Sequence, residues 1–227
     1  MGRRARALAW GALLALGFAA IFGAVAQDRL SEAETLLFLT DHLRNVVPPA
    51  TLSYEYKKTG TAEAGFDDTV QIRVRAAGDG AKVVSVTFFT RERQIALPDV
   101  VKPEGNPVLL YFLEHDIREM ERRTGGKAGY FRKAIRLALA RSATVAKVSV
   151  PFEGRAIAAQ EITITPYADD PLKDRIGKYA TKIYVFTLSA DVPGGIYSVR
   201  TIVPSPAAAA KAAPLIEERL RFVRSIR

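Results

Sequence analysis

With 227 residues, 48% of them hydrophobic and 25% charged, the chain can bury a sizeable core and is not of disordered composition. Its formal net charge is +9. It has no cysteine, which excludes disulfides, thiolate metal sites, thiol catalysis and acylation at a lipobox.

Residues 1–26 have the form of a secretory signal peptide. MGRRAR supplies three arginines, residues 7–26 are apolar and uncharged, and Ala24-Val25-Ala26 fits a small-x-small cleavage site. The apolar run is also about long enough to span a bilayer, so an uncleaved anchor is the competing reading. Cleavage leaves residues 27–227 as one periplasmic domain with 30 basic and 24 acidic residues, a net charge of +6. That excess suits weak attraction to anionic head groups or acidic partners, so peripheral membrane contact is open. It lacks the concentrated basic stripe of a nucleic-acid binder, and export also argues against nucleic acid as a partner.

Ser31 and Glu34 stand at capping-box spacing, Leu36, Leu39 and Leu43 follow at helical spacing, and Pro48-Pro49 ends the run, which predicts a helix over about 32–46. From Thr51 the period becomes two: TLSYEYKK, FDDTVQIRVRA and KVVSVTFFT read as strands. Gly78-Asp79-Gly80 marks a hairpin between the second and third, and RERQIAL is a candidate fourth. Two helices are predicted over about 107–123 and 128–141. Strands resume in TVAKVSVPFE, AIAAQEITITPY, KYATKIYVFTLSA and IYSVRTIVP, with turns at Gly154 and Pro193-Gly194-Gly195. KIYVFTL is apolar on both faces, the mark of a central, doubly covered strand. A Pro/Ala-rich connector then leads to LIEERLRFV, read as a short amphipathic helix. The order predicts an α+β fold: a curved antiparallel sheet, an incomplete barrel of about eight strands, with helices packed on its concave side.

The first of the two central helices carries the densest cluster of ionisable groups, Glu114-His115-Asp116. Asn106 suits its N-cap, Pro107 its first position and Gly125-Gly126 its left-handed stop. Pairs Glu114–Arg118 and Glu119–Arg123 add i,i+4 support. At about 100° per residue, Leu109, Leu110, Leu113, Ile117 and Met120 share one face, with Phe112 on its flank. His115 falls nearly opposite, at a solvated or rim position, so His115 and Asp116 diverge too far to act on one atom. Asp116 projects at the edge of the apolar face. There it either pairs with Arg132, Lys133 or Arg136 of the next helix or serves as the polar contact of an apolar site. The second helix carries five basic residues and no acid, and Arg132, Lys133 and Arg136 are its candidate contacts to a partner or anionic surface. TGGKAG lacks the rest of a phosphate loop, no serine sits in a G-x-S-x-G elbow, and the two histidines stand on separate elements. No catalytic residue, metal site or cofactor is assigned.

This order of helix, strands, central helices after a proline loop, strands and a short terminal helix resembles the periplasmic lipoprotein-carrier proteins, the LolA-like and LolB-like group. The resemblance covers about 30–225 and rests on element order and hydrophobic pattern. It implies a curved, incomplete barrel closed by helices around an apolar cavity for acyl chains. The arginine that those carriers place on a strand near the cavity has no assignable counterpart here. The residues expected to line such a cavity are Phe88, Phe112, Leu113, Asp116, Ile117 and Met120. The leading expectation is a non-enzymatic exported carrier for a lipid, acyl chain or other hydrophobic ligand. The second is an envelope protein-interaction module using the sheet edge and the basic helix 128–141, and a hydrolase or isomerase comes third.

Overall fold

The computed structural model describes residues 30–95, 97–206 and 212–227. The expected signal peptide and part of the Pro/Ala-rich connector lie outside these residues.

Nine strands form a single antiparallel sheet in the order β4-β3-β2-β1-β9-β8-β7-β6-β5. The strands are β1 Ala50–Thr59, β2 Phe66–Ala76, β3 Lys82–Phe88, β4 Val100–Val101, β5 Thr144–Phe152, β6 Arg155–Ile164, β7 Ile183–Leu188, β8 Ile196–Val203 and β9 Ile216–Ile226. The long helices are α2 Val108–Thr124 and α3 Ala128–Arg141; α1 is the short Glu32–Glu34, and α4 is Lys173–Ile176. The sheet is open, ending in β4 on one side and β5 on the other. It is also strongly curved: Phe152 of β5 meets Phe222 of β9 with ring centroids 5.9 Å apart, although four strand spacings laid flat would separate them by about 19 Å. The α+β class and the curved, incomplete sheet expected from the element order are therefore present, with nine strands.

Alternation along each strand sends one set of side chains inward. Phe88, Val70, Tyr54 and Phe222 form one buried row across β3, β2, β1 and β9. Ile162, Phe186, Val199, Leu220 and Tyr56 form another across β6, β7, β8, β9 and β1. Helix α2 lies over this face through Leu109, Phe112, Ile117 and Met120. Fully burying each large apolar side chain contributes about 1.5–3 kcal/mol. Strand β7 is buried from Tyr184 to Leu188 and sits between β8 and β6, matching the two-faced apolar reading of KIYVFTL.

Three expectations are corrected. The segment 215–223 is not a helix: β9 pairs β1 on one side and β8 on the other, joining the two halves of the sheet. Its apolar spacing fits both periods, and the ladder bonds offered by two open edges select the strand. The first helix is much shorter than predicted. Its capping box forms, but after Glu34 the chain continues as a π turn over Thr35–Leu39 and then becomes extended at Thr40. Beyond it His42 turns inward, Nε2 on the Leu36 carbonyl at 2.8 Å and Nδ1 accepting the Asn106 amide at 3.3 Å, contacts to which a continuous helix would not lead it. Finally, RERQIAL forms a 3₁₀ turn at Arg91–Arg93 with a single bridge from Ile95 to Phe88, and β4 comes from the following loop instead.

Candidate functional site

Helix α2 divides the region into a groove on one flank and a polar recess on the other. Its start is held by Asn106, whose Oδ1 accepts the Val108 amide at 3.1 Å while Nδ2 donates to the Tyr54 hydroxyl and the Gly194 carbonyl. Its end is capped by Gly125 at φ 70°, a conformation that favours glycine. Both predicted i,i+4 pairs form, Glu114 with Arg118 at 3.4 Å and Glu119 with Arg123 at 2.8 Å.

The groove runs between α2 and α3 and has a volume of about 510 Å³. Phe38, Leu110, Leu113, Ile117, Ile135 and Leu139 make its apolar lining, and Arg132 and Arg136 stand at its edge. Arg132 holds Glu114 across the groove, 2.7 Å from Nη2 to Oε1, whereas Arg136 is exposed and pairs with no carboxylate among the described residues. A second depression of about 600 Å³, bounded by the 102–107 loop, shares Phe38, Leu110 and Tyr111 with it, so the two form one elongated trough. Leu110, in its lining, is more than half exposed. Such a surface is costly in water.

Of the residues named from sequence, Leu113 and Ile117 reach this groove. Phe88, Phe112, Met120 and Asp116 are packed between α2 and the sheet, each no more than 1% exposed. The partner of Asp116 is a correction: it pairs with Lys182 at the start of β7, not with Arg132, Lys133 or Arg136. Its other oxygen accepts the Tyr184 hydroxyl at 2.7 Å, and Tyr184 also meets the Tyr167 hydroxyl at 3.1 Å. Burial, then the Asp116 charge, drives the Tyr184 hydroxyl well above its usual value, so it stays protonated as a donor. Arg132, Lys133 and Arg136 are exposed, Arg132 engaged with Glu114, and the carboxylate of Asp116 turns inward.

The recess on the other flank is about 330 Å³ and was not anticipated. His115 lies there, half-buried against Phe89, Phe88 and Tyr56 with ring centroids 5.1, 5.7 and 6.3 Å away. Phe89 adopts φ 65°, a strained conformation for a bulky residue, and buries its ring in this cluster. Behind the rings an inward rung crosses three strands, Lys58 opposite Glu218 opposite Thr201. Lys58 bonds Glu63 at 2.8 Å and Glu218 at 3.4 Å, and Arg123 closes the network through Glu63 and Glu119. Burial lowers the Lys58 pKa against the pull of Glu218, and the Arg122 hydrogen bond lowers that of Glu119. The Tyr56 hydroxyl is raised by burial and by the Glu218 carboxylate, yet no bond of acceptable geometry joins Tyr56 Oη or Glu218 Oε2 to a partner. His115 bonds no carboxylate or hydroxyl among the described residues, so no nucleophile–base pair forms around it. The only sequence signal for this recess was the alternation that turns Lys58 inward with Tyr54 and Tyr56.

No group of three or more histidine or carboxylate residues converges as a metal site among the described residues. None of the described helices is long and apolar enough to cross a membrane.

No protein-family model matches the chain, and neither does any curated protein sequence. Solved structures are similar at low identity. The Mycobacterium tuberculosis lipoprotein LppX shares 10% identity over 76% of this chain and 84% of its own, with a TM-score of 0.31. MucB in the Pseudomonas aeruginosa MucA/MucB complex shares 16% over 86% of this chain and 57% of its own, with a TM-score of 0.34. A LolA superfamily protein from Nitrosomonas europaea shares 10% over 85% of this chain and 92% of its own, with a TM-score of 0.21. The chain thus spans little more than half the length of MucB. At these identities and TM-scores the likenesses, one of them to a LolA superfamily protein, are distant.

Proposed function

We propose that the protein is an exported, single-domain carrier that binds an anionic amphiphile, an acyl chain with a carboxylate or phosphate head, in the trough beside α2. The observation that carries this reading is the pairing of an apolar groove with an unpartnered guanidinium at its rim. The floor from Phe38 to Leu139 takes the chain, and Arg136, with Arg132 beside it, takes the head. The volume of about 510 Å³ is within the range of small-molecule sites, roughly 300–1,000 Å³. The site is binding rather than catalytic in this reading, because His115, the histidine carried by α2, rests on aromatic rings on the flank away from the trough.

Native mass spectrometry of protein purified from periplasm should show a co-purified lipid, and a fluorescent fatty acid should bind the delipidated chain. Leu110→Arg, at an exposed position, should weaken that binding at least about tenfold, or ~1.4 kcal/mol, without loss of fold. Protein that is always empty and ignores added fatty acid would refute the carrier.

A second reading, an envelope interaction module, has one observation in its favour. Strand β5 is nine residues long and has no strand paired on its outer side among the described residues. Its edge is guarded only by Lys147 and by Pro151 near its end, which leaves the stretch before the proline open to extension by a partner strand. If that reading holds, Ser149→Pro should abolish capture of the partner while lipid binding persists.

A further inference from the structure

We propose that the outer face of the sheet, over β1, β9 and β8, docks on an anionic bilayer. This does not rest on the carrier reading, since the trough lies on the opposite face of the sheet. The register places Lys57 of β1, Arg219 of β9 and Arg200 of β8 directly opposite one another, on the side facing away from the helices. Neighbouring strands hold such side chains about 5 Å apart, and like charges placed so repel. The carboxylates nearby only partly relieve this: Lys57 reaches Asp67 at 3.8 Å and Arg200 reaches Glu217 at 3.7 Å. Arg219, between them, pairs with no carboxylate among the described residues, and neither does Arg224 further along β9. A folded chain keeps such a rung at a cost in stability, which an external anion repays.

Two features identify that anion as a membrane rather than an acidic protein. First, β9 is the fifth of nine strands, so on a curved sheet the cationic rung stands at the crest of the convex side. A crest meets a broad, flat surface and offers no cleft to a protein loop. Second, the end of β9 alternates exposed basic and apolar side chains. Arg221, Arg224 and Arg227 flank Val223 and Ile226, which are 52% and 48% exposed. Val223 is the extra residue where the register with β1 shifts between Ser53 and Tyr54, and this bulge turns it outward. Cationic groups among shallowly inserting apolar ones are the make-up of an interfacial contact, with arginine on head-group phosphates and short aliphatic chains between them.

The test is co-sedimentation of the full chain with large vesicles of phosphatidylcholine alone or mixed with phosphatidylglycerol. Sedimentation should require phosphatidylglycerol and weaken at high salt, as screening dictates. The double variant Arg200→Glu with Arg219→Glu should reduce partition at least about tenfold, and the milder Arg200→Gln with Arg219→Gln, which spares the fold, by a smaller factor. Val223→Asp should also reduce it. Leu110→Arg should leave it unchanged, which separates docking from extraction of a lipid into the trough. The proposal is overturned by equal sedimentation with neutral vesicles. It is equally overturned if reversing Arg132, Lys133 and Arg136 abolishes binding while the sheet variants do not.

Discussion

Asp116 and Lys182 lose their hydration together, and their mutual attraction with the Tyr184 hydrogen bond offsets that cost. Asp116→Ala strands the lysine, so urea unfolding should show a loss of about 3–5 kcal/mol. Replacing both ions, Asp116→Leu with Lys182→Met, should recover most of it; a double variant as unstable as the single one would show that the pair is not the cause. That Asp116 would project at the edge of the apolar face follows from helical rotation alone. Its partner did not, because Lys182 lies 66 residues on and only the sheet brings it under α2. His42 supports a second test. Burial holds its pKa below the usual 6.5, and its Nδ1 accepts the Asn106 amide, a role that only the neutral ring can fill. The unfolded chain therefore takes up the proton first as pH falls. Stability from this group is complete above about 6.5 and lost as pH falls from there through the lowered folded value. Urea unfolding between about pH 5 and 7 should show this slope, and His42→Gln should flatten it.

At the scale of elements, caps separated what could be read from what could not. Helix α2 carries Asn106 before it and Gly125 after it, and α3 follows directly, so both were legible within a residue or two. Hairpins β2–β3 and β5–β6 were legible from alternation and turn residues. The segment that forms β9 has no such local mark: Ile216, Leu220 and Phe222 are compatible with a helix as well as a strand. Its state is set by what it pairs with. If β9 ties the halves of the sheet together, amide protons from Ile216 to Phe222 should exchange only through global unfolding, as slowly as those of β1. Fast exchange there would mean a peripheral strand. Helix α1 is the converse case, since its helical spacing is real but His42 is drawn into the core.

Because β9 bridges β1 and β8, the strands before α2 and those after α3 share one sheet and one buried face. Unfolding of residues 27–227 should therefore be a single transition, coincident by far-ultraviolet circular dichroism and tyrosine fluorescence. Two separate midpoints would divide the chain into two domains. The sequence by itself determined the α+β class, the antiparallel runs, the two central helices and the turn of His115 away from Asp116, because period, caps and turn residues are local properties. Tertiary structure alone decided the strand identity of β9, the buried partner of Asp116, the inward Lys58–Glu218 rung and the row of Lys57, Arg219 and Arg200. Each of these depends on strand register across distant segments, and register is fixed by ladder bonds and shared burial that no single stretch of sequence contains.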